Sequence, residues 1–498
     1  MKRSIVALAC AFALVAPAAL AEVKKGGSMT VTYQSDVATL DPAIGYDWQN
    51  WSMIKSLFDG LIDYAPGTTQ IVPDLAESFT ISEDGLVYTF KLRQGVRFHN
   101  GREMTAEDVK YSLERTVNPA TQSPGASYFD TILGYADVAA GTTTDLAGVR
   151  VIDPYTLEIE LNRPDAPFLH KLALNFAFVV PKEAVEQYGA DFGKNPVGTG
   201  AFELKEWVLG QRVVFERNPD YYVADRPRLD EIVFEVGQDP SVALLRLERG
   251  EVDLLGDGIP PARFVEVRDN PDFKDQIVEG GQLHTGYVTL NTRVAPLDDV
   301  KVRQALNMAI DKDRIVQIVN GRAVPARLAL PPAMPGYDAT DHGYPFDPEG
   351  AKKLLAEAGY PDGFASVLYA MNTDPNPRIA QAIQQDLAAI GVTVEIKALD
   401  PATVIAAGGT EGEAPMIWSG GMAWIADFPD PSNFYWAILG CGAAAPGGWN
   451  WSWYCNQEVD AMAAEADAMT APDQAAARID TWRAIFAKVL ADAPWIPI

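Results

Sequence analysis

The stretch "PRIAQAIQQDLAAIGVTVEI", Pro377 to Ile396, sets the fold class. Ala380, Ile383, Leu387 and Ile390 recur at helical spacing and share one face, and Gly391 stops the helix. "VTVEI" then reads as a strand. A helix that ends in glycine and passes directly into a strand is the repeating unit of an α/β protein. Other helices are legible. "MTAEDVKYSLERTV" opens at Thr105 with Asp108 three residues on, a capping-box variant. "QAAARIDTWRAIFAKVL" places Ile479, Trp482, Phe486 and Val489 on one face. Strands lie between them: "MTVTYQ", "RVVFER", "EIVFEV", "LVYTFKLR" with Leu86, Tyr88, Phe90 and Leu92 on one side, and "YTLEIEL" with Leu157, Ile159 and Leu161. Half-buried alternation of this kind fits antiparallel or mixed sheet with one wet face. The 498 residues exceed what one hydrophobic core organises, so two or three domains are expected. No long linker or low-complexity segment separates them, so they must be closely joined.

The N-terminus predicts export. Lys2 and Arg3 precede an apolar run from Ile5 to Val15, and "APAALA" follows with Ala19 and Ala21 where a signal peptidase reads. The run is too short to span a bilayer. Residues 1–21 are therefore read as a cleaved signal peptide and the mature chain as periplasmic. Losing Lys2 and Arg3 takes the net charge from −27 to −29. Such a chain is repelled by phosphate backbones, which argues against nucleic-acid binding. Cys10 leaves with the signal. The remaining pair, Cys441 and Cys455, reads as a disulfide in an exported chain, with two free buried thiols as the alternative.

Catalytic constellations are hard to trace. The four histidines, His99, His170, His284 and His342, share no metal-ligand spacing. No serine sits in a Gly-x-Ser-x-Gly elbow. "GTGAF" at Gly198 lacks the third glycine of a dinucleotide fingerprint and reads as a turn before a strand. The reading is of a protein that is not an enzyme and that needs no cofactor or metal.

"LAESFTISEDGLVYTFKLRQGVRFHNGREMTAEDVKYSLER" (Leu75–Arg115) resembles the hallmark region of extracytoplasmic solute-binding proteins of family 5, the capture subunits of peptide- and nickel-class ABC importers. The likeness continues through "NPVGTGAFELKEWVLGQRVVFERNPDYY", "LNTRVAPLDDVKVRQALNMAIDKDRIV" and "FDPEGAKKLLAEAGYPDGF", in order along nearly the whole mature chain. The resemblance implies an α/β, two-lobed periplasmic-binding-protein fold with hinged lobes and an extra α/β domain inserted in lobe one. Mapped by motif, residues 22–63 and 188–286 form lobe one and the hinge. Residues 64–187 form the inserted domain, and 287–470 form lobe two. Residues 471–498 return to lobe one; family members usually continue past "APWIPI", so either this protein is trimmed or the sequence is a fragment. The function implied is capture of peptides in the interlobe cleft and delivery to an inner-membrane ABC permease, by a monomer. The family also includes binders of nickel, glutathione, haem and oligosaccharides, so another small solute is the alternative; an exported hydrolase is a more distant one.

The resemblance points to "GGMAWIADFPDPSNFYW", Gly420 to Trp436. In dipeptide- and oligopeptide-binding members a Trp-x-x-Asp of lobe two lies in the cleft, and its Asp pairs with the ligand's α-ammonium. Trp424 and Asp427 match it, with Gly421 and Met422 beside them. A carboxylate among aromatic residues needs a positive partner, and an ammonium supplies one with three donors. Asp430, ahead of Pro431, reads as a helix cap. Tyr46 and Trp48 fall where members place a ligand-contacting loop of lobe one. Some dipeptide binders carry an arginine for the peptide carboxylate near the position of Met371; this chain has none there, which favours longer peptides or ligands without that carboxylate.

Overall fold

The computed structural model describes residues 25–420 and 424–498; the proposed signal peptide lies outside them. Three sheets organise the chain. The first has the strand order Leu254–Leu255, Ser28–Thr32, Glu231–Glu235, Arg212–Arg217, Phe202–Val208. Ser28–Thr32 runs parallel to both its neighbours, and the remaining pairs are antiparallel. Its core gathers Val31, Leu57, Phe58, Val213, Phe215 and Phe234, all buried. The helix Trp48–Leu57 packs there, capped by Asp47, whose carboxylate accepts from the Asn50 backbone N–H at 2.7 Å.

The second sheet is wholly antiparallel: Ala76–Ile81, Val87–Leu92, Thr156–Glu160, Val149–Asp153. Tyr88, Phe90 and Leu92 point inward with Leu157 and Ile159, as their period of two requires. The helix Ala106–Val117 covers this face. The Asp108 carboxylate accepts from the Thr105 backbone N–H at 2.9 Å, the reciprocal half of the capping box. All of this is inserted between strands of the first sheet.

The third sheet is mixed, ordered Thr393–Leu399, Ala365–Met371, Met416–Trp418, Tyr287–Leu290, Trp495–Pro497. The helix Asn376–Ala389 connects the parallel strands Ala365–Met371 and Thr393–Leu399, the expected helix–glycine–strand unit. Gly391 has φ +88°, where a side chain is strained. Ile383 and Leu387 are fully buried; each such side chain is worth about 1.5–3 kcal/mol.

One expectation is corrected. Residues 471–498 do not run in the first sheet: Trp495–Pro497 pairs antiparallel with Tyr287–Leu290 in the third. The reason is apolar. The helix Ala475–Asp492 buries Trp482, Ile485, Phe486 and Val489 among Phe434, Tyr435 and Tyr454. Trp495 then stacks flat on Tyr287, with ring centres 3.6 Å apart.

The Cys441–Cys455 disulfide is formed. The loop it closes is held from inside by Asn450, whose amide donates to the carbonyls of Gly440 and Tyr454 at 3.2 and 2.8 Å. Among the described residues no helix is long and apolar enough to cross a membrane.

Candidate functional site

Trp424–Ile425 forms a short antiparallel pair with His284–Thr285, just ahead of the third sheet's first strand in the chain. This pairing carries the chain out of the third body, and the next residues meet the other two. Phe428 is only 3% exposed and belongs to the core of the second body. It meets Tyr128 edge to face at 6.0 Å and lies parallel to the His170 ring at 6.4 Å.

The two aspartates of the stretch have opposite solutions. Asp430 caps the helix Pro431–Trp436 by accepting from the Ser432 N–H at 3.0 Å, as expected. It also receives both arms of the Arg478 guanidinium at 2.8 Å. Burial opposes its ionisation, but the Arg478 charge and those hydrogen bonds outweigh burial and hold its carboxyl below the usual range. Asp430 finds its cation inside the protein.

Asp427 does not. Its carboxylate accepts hydrogen bonds from the Tyr46 hydroxyl at 3.0 Å, from the Tyr128 hydroxyl, and from the Asn433 amide at 3.0 Å. Those donors come from all three bodies, and all are neutral. No lysine or arginine among the described residues pairs with it. Burial raises its carboxyl above the ordinary range, partly offset by the bonds from Asn433, Tyr128 and Tyr46. A desolvated carboxylate with only dipolar partners still favours a cation.

Asn433 fixes the geometry. Its side-chain oxygen accepts the Trp424 indole N–H at 2.9 Å and the Asp427 backbone N–H at 3.0 Å, while its amide donates to Asp427. Trp424 and Asp427, three residues apart, are thus tied to one side chain. Tyr46 is braced by Trp51 and Phe176, with ring centres 5.8 and 5.7 Å away.

Of the expected residues, the structure brings together Tyr46, Trp424 and Asp427. Trp48 packs edge to face on Tyr33 at 5.5 Å, is 50% exposed, and has no part in the Asp427 network. Gly421 and Met422 lie outside the described residues. Met371 is buried with Tyr369, Val404 and Trp451, an apolar setting. Sequence reasoning missed Tyr128, Asn433 and Phe428. Asn433 had a signal in its spacing, six residues after Asp427 in "DFPDPSN"; Tyr128, 299 residues away, had none. Among the described residues no cluster of three or more His, Cys, Asp or Glu is placed to hold a metal.

Known proteins share this architecture. The dipeptide-binding protein of Escherichia coli is 34% identical over 420 residues, covering 80% of this chain and 76% of that protein. The heme-binding protein A of Haemophilus influenzae is 32% identical, covering 96% and 88%. The solved structure of the periplasmic binding protein DppA of Helicobacter pylori, in complex with the peptide STSA, superposes with a TM-score of 0.79 at 29% identity, covering 95% and 92%. The two-lobed fold with an inserted domain is therefore the fold of this chain. Residues 70–446 match the middle region of the bacterial extracellular solute-binding proteins, family 5, and with that match over most of its length the chain belongs to this family.

Proposed function

We propose that this protein is the periplasmic capture subunit of an ABC importer for peptides, and that Asp427 receives the ligand's α-ammonium. The observation that carries the reading is the contrast above: Asp430 is neutralised internally by Arg478, whereas Asp427 faces three neutral donors at the junction of all three bodies. An ammonium has three N–H donors, and a carboxylate retains lone pairs beyond those used by the tyrosines and Asn433. Trp424, held by Asn433, walls the same place. The peptide backbone lies along the short pair at Trp424–Ile425, with its side chains in wet pockets. Closure of the hinged lobes buries it and presents the closed shape to an inner-membrane permease.

The chain reaches the periplasm through cleavage after Ala21, acts as a monomer and catalyses nothing; hydrolysis of ATP belongs to another subunit. The family resemblance and the leader sequence support these points. The domain borders are proposed as 64–187 for the inserted domain and about 287 for the start of lobe two.

Native mass spectrometry of the mature protein from a periplasmic extract tests the reading, beside Asp427→Asn. The expected result is a ladder of adducts differing by amino-acid residue masses on the wild type, with the variant largely empty. Truncating one partner of such a pair costs about 2–5 kcal/mol, roughly 30-fold or more in Kd. A single non-peptide adduct retained equally by both proteins would overturn the role of Asp427 and move the ligand to another solute class.

A further inference from the structure

A second polar junction joins the inserted domain to lobe two, apart from the Asp427 network. From the inserted domain comes Asp165, 2% exposed, which accepts from Thr131 Oγ1 at 2.9 Å and pairs with Lys171 Nζ at 2.7 Å. From lobe two come Asp430, Arg478 and Asp467. Arg478 is committed to Asp430 by two bonds of 2.8 Å and reaches Asp467 at 3.3 Å. The Asp467 side chain is 16% exposed, and its Oδ2 accepts the Trp436 indole N–H at 2.7 Å. The two parts touch here through backbone, since the Ala166 N–H donates to the Asp467 carbonyl at 2.8 Å. Three residues further, Gly85 of the inserted domain lies against Thr470: a Cβ at position 85 would sit 2.4 Å from its hydroxyl.

The charges do not balance. Three carboxylates, Asp165, Asp430 and Asp467, meet two cations, Lys171 and Arg478, each already taken. Asp467 is the odd one, and one of the charges opposing it, Asp165, arrives only when the two parts are together. Burial, then the charge of Asp430, then that of Asp165 push its carboxyl up to about 7, against the Trp436 hydrogen bond and Arg478.

We infer that Asp467 is a proton-operated latch: the inserted domain and lobe two close on each other with uptake of a proton at Asp467, so closure strengthens as the medium becomes more acidic. In the parted form the charge of Asp165 is gone and the carboxyl is more open to water, while Asp430, Arg478 and Trp436 stay beside it, so its value lies below the closed one. Because the closed value is the higher one, the contribution to closure is fully present below the parted value and is lost as pH rises through about 7. His170 lies at the same junction, its Nδ1 2.9 Å from the Tyr64 hydroxyl, and burial pushes it down, so it opposes closure in acid. The comparison must therefore cancel His170.

The test places a fluorophore pair on the mature chain through Glu77→Cys and Glu395→Cys, exposed positions of the inserted domain and of lobe two. Energy transfer then gives the closing constant from pH 8 to pH 6, without added solute. The same series is run with Asp467→Asn, which keeps His170 and fixes position 467 neutral. The quotient of the two closing constants, wild type over variant, is expected to rise several-fold from pH 8 to pH 6, as a group near 7 when closed and lower when parted requires. A quotient that stays constant within two-fold overturns the latch. Should Asp467→Asn fail to fold, Asp165→Asn removes the opposing charge from across the junction and must move the wild-type response to lower pH; an unmoved response overturns the proposal equally. Calorimetry with alanyl-alanine and trialanine is separate: failure to bind either would count against peptide capture and leave the latch standing.

Discussion

The hydroxyl of Tyr128, in the inserted domain, donates to the carboxylate of Asp427, in lobe two, across 299 residues of sequence. This bond stabilises the ionised form of a carboxyl that burial pushes the other way. It also ties Asp427, the proposed anchor, to the inserted domain.

Tyr128→Phe therefore raises the Asp427 carboxyl further, because a bond that favours the charged form is lost. Attraction to an ammonium is present above that value and lost as pH falls through it. The acid limb of ligand affinity is expected to move to higher pH in the variant, with a loss of about 1.5–3 kcal/mol at pH 7, typical of a hydrogen bond to a charged group. Titration of the Asp427 carboxyl carbon by NMR in both proteins checks the direction. A limb at unchanged pH would show that Tyr128 does not tune the anchor.

Asn433 makes three bonds that no single replacement preserves. Asn433→Ala orphans the Trp424 indole N–H and the Asp427 backbone N–H, at about 1–3 kcal/mol for each group that stays buried. Asn433→Asp keeps a side-chain oxygen to accept from both N–H groups but sets a second carboxylate against Asp427. It is expected to lower the melting temperature less than Ala, yet to raise the Asp427 carboxyl more. Thermal scans with carboxyl titration separate these two orders; the same order in both would show that packing, not charge, is what Asn433 supplies.

These residues also show what the sequence could reveal. The helix and strand faces were legible because burial follows period: Ile383 and Leu387, or Tyr88 and Phe90, sit where 3.6 and 2.0 place them. Asp430 was legible as a cap because capping is local. Arg478 was not. Its helix was read as presenting Ile479, yet the buried residue is Arg478, drawn inward by Asp430 forty-eight positions earlier. Trp48, read as part of a ligand-contacting loop, packs on Tyr33 and stays half exposed, outside the Asp427 network. Partners supplied from another body leave no trace in local spacing.

Arg478→Met should be among the costliest substitutions in lobe two. It leaves Asp430, 5% exposed, without its cation, and breaking a buried pair from one side costs about 3–5 kcal/mol. Adding Asp430→Asn removes the stranded charge and keeps a capping side chain, so the double variant is expected to melt above Arg478→Met alone. Denaturant unfolding of the three proteins measures the order; a double variant less stable than the single would mean that the pair is not the source of the loss.

The disulfide should act on stability and leave the anchor untouched. Cys441 and Cys455 are 14 positions apart, and a loop of that size contributes about 3 kcal/mol in the chain-entropy view. Reductant is expected to lower the melting temperature of the wild type and to leave that of a Cys441→Ser, Cys455→Ser variant unchanged. Affinity measured below either melting point should agree between the two proteins. An affinity loss on reduction would place the loop in the site.

Phe428 separates closure from folding. By burial it is a core residue, and truncating a core phenylalanine ordinarily costs about 3–5 kcal/mol of stability. Yet the core it enters belongs to the inserted domain, whereas its own chain segment belongs to lobe two. When the lobes part, Phe428 leaves Tyr128 and His170 whether or not it is mutated. Phe428→Ala is therefore expected to penalise the closed form alone, lowering ligand affinity by at least ten-fold while the melting temperature without ligand shifts by only a few degrees. Calorimetric binding and thermal scans on the same preparations decide this. A large fall in melting temperature at unchanged affinity would make Phe428 an ordinary core residue and remove it from the closing mechanism.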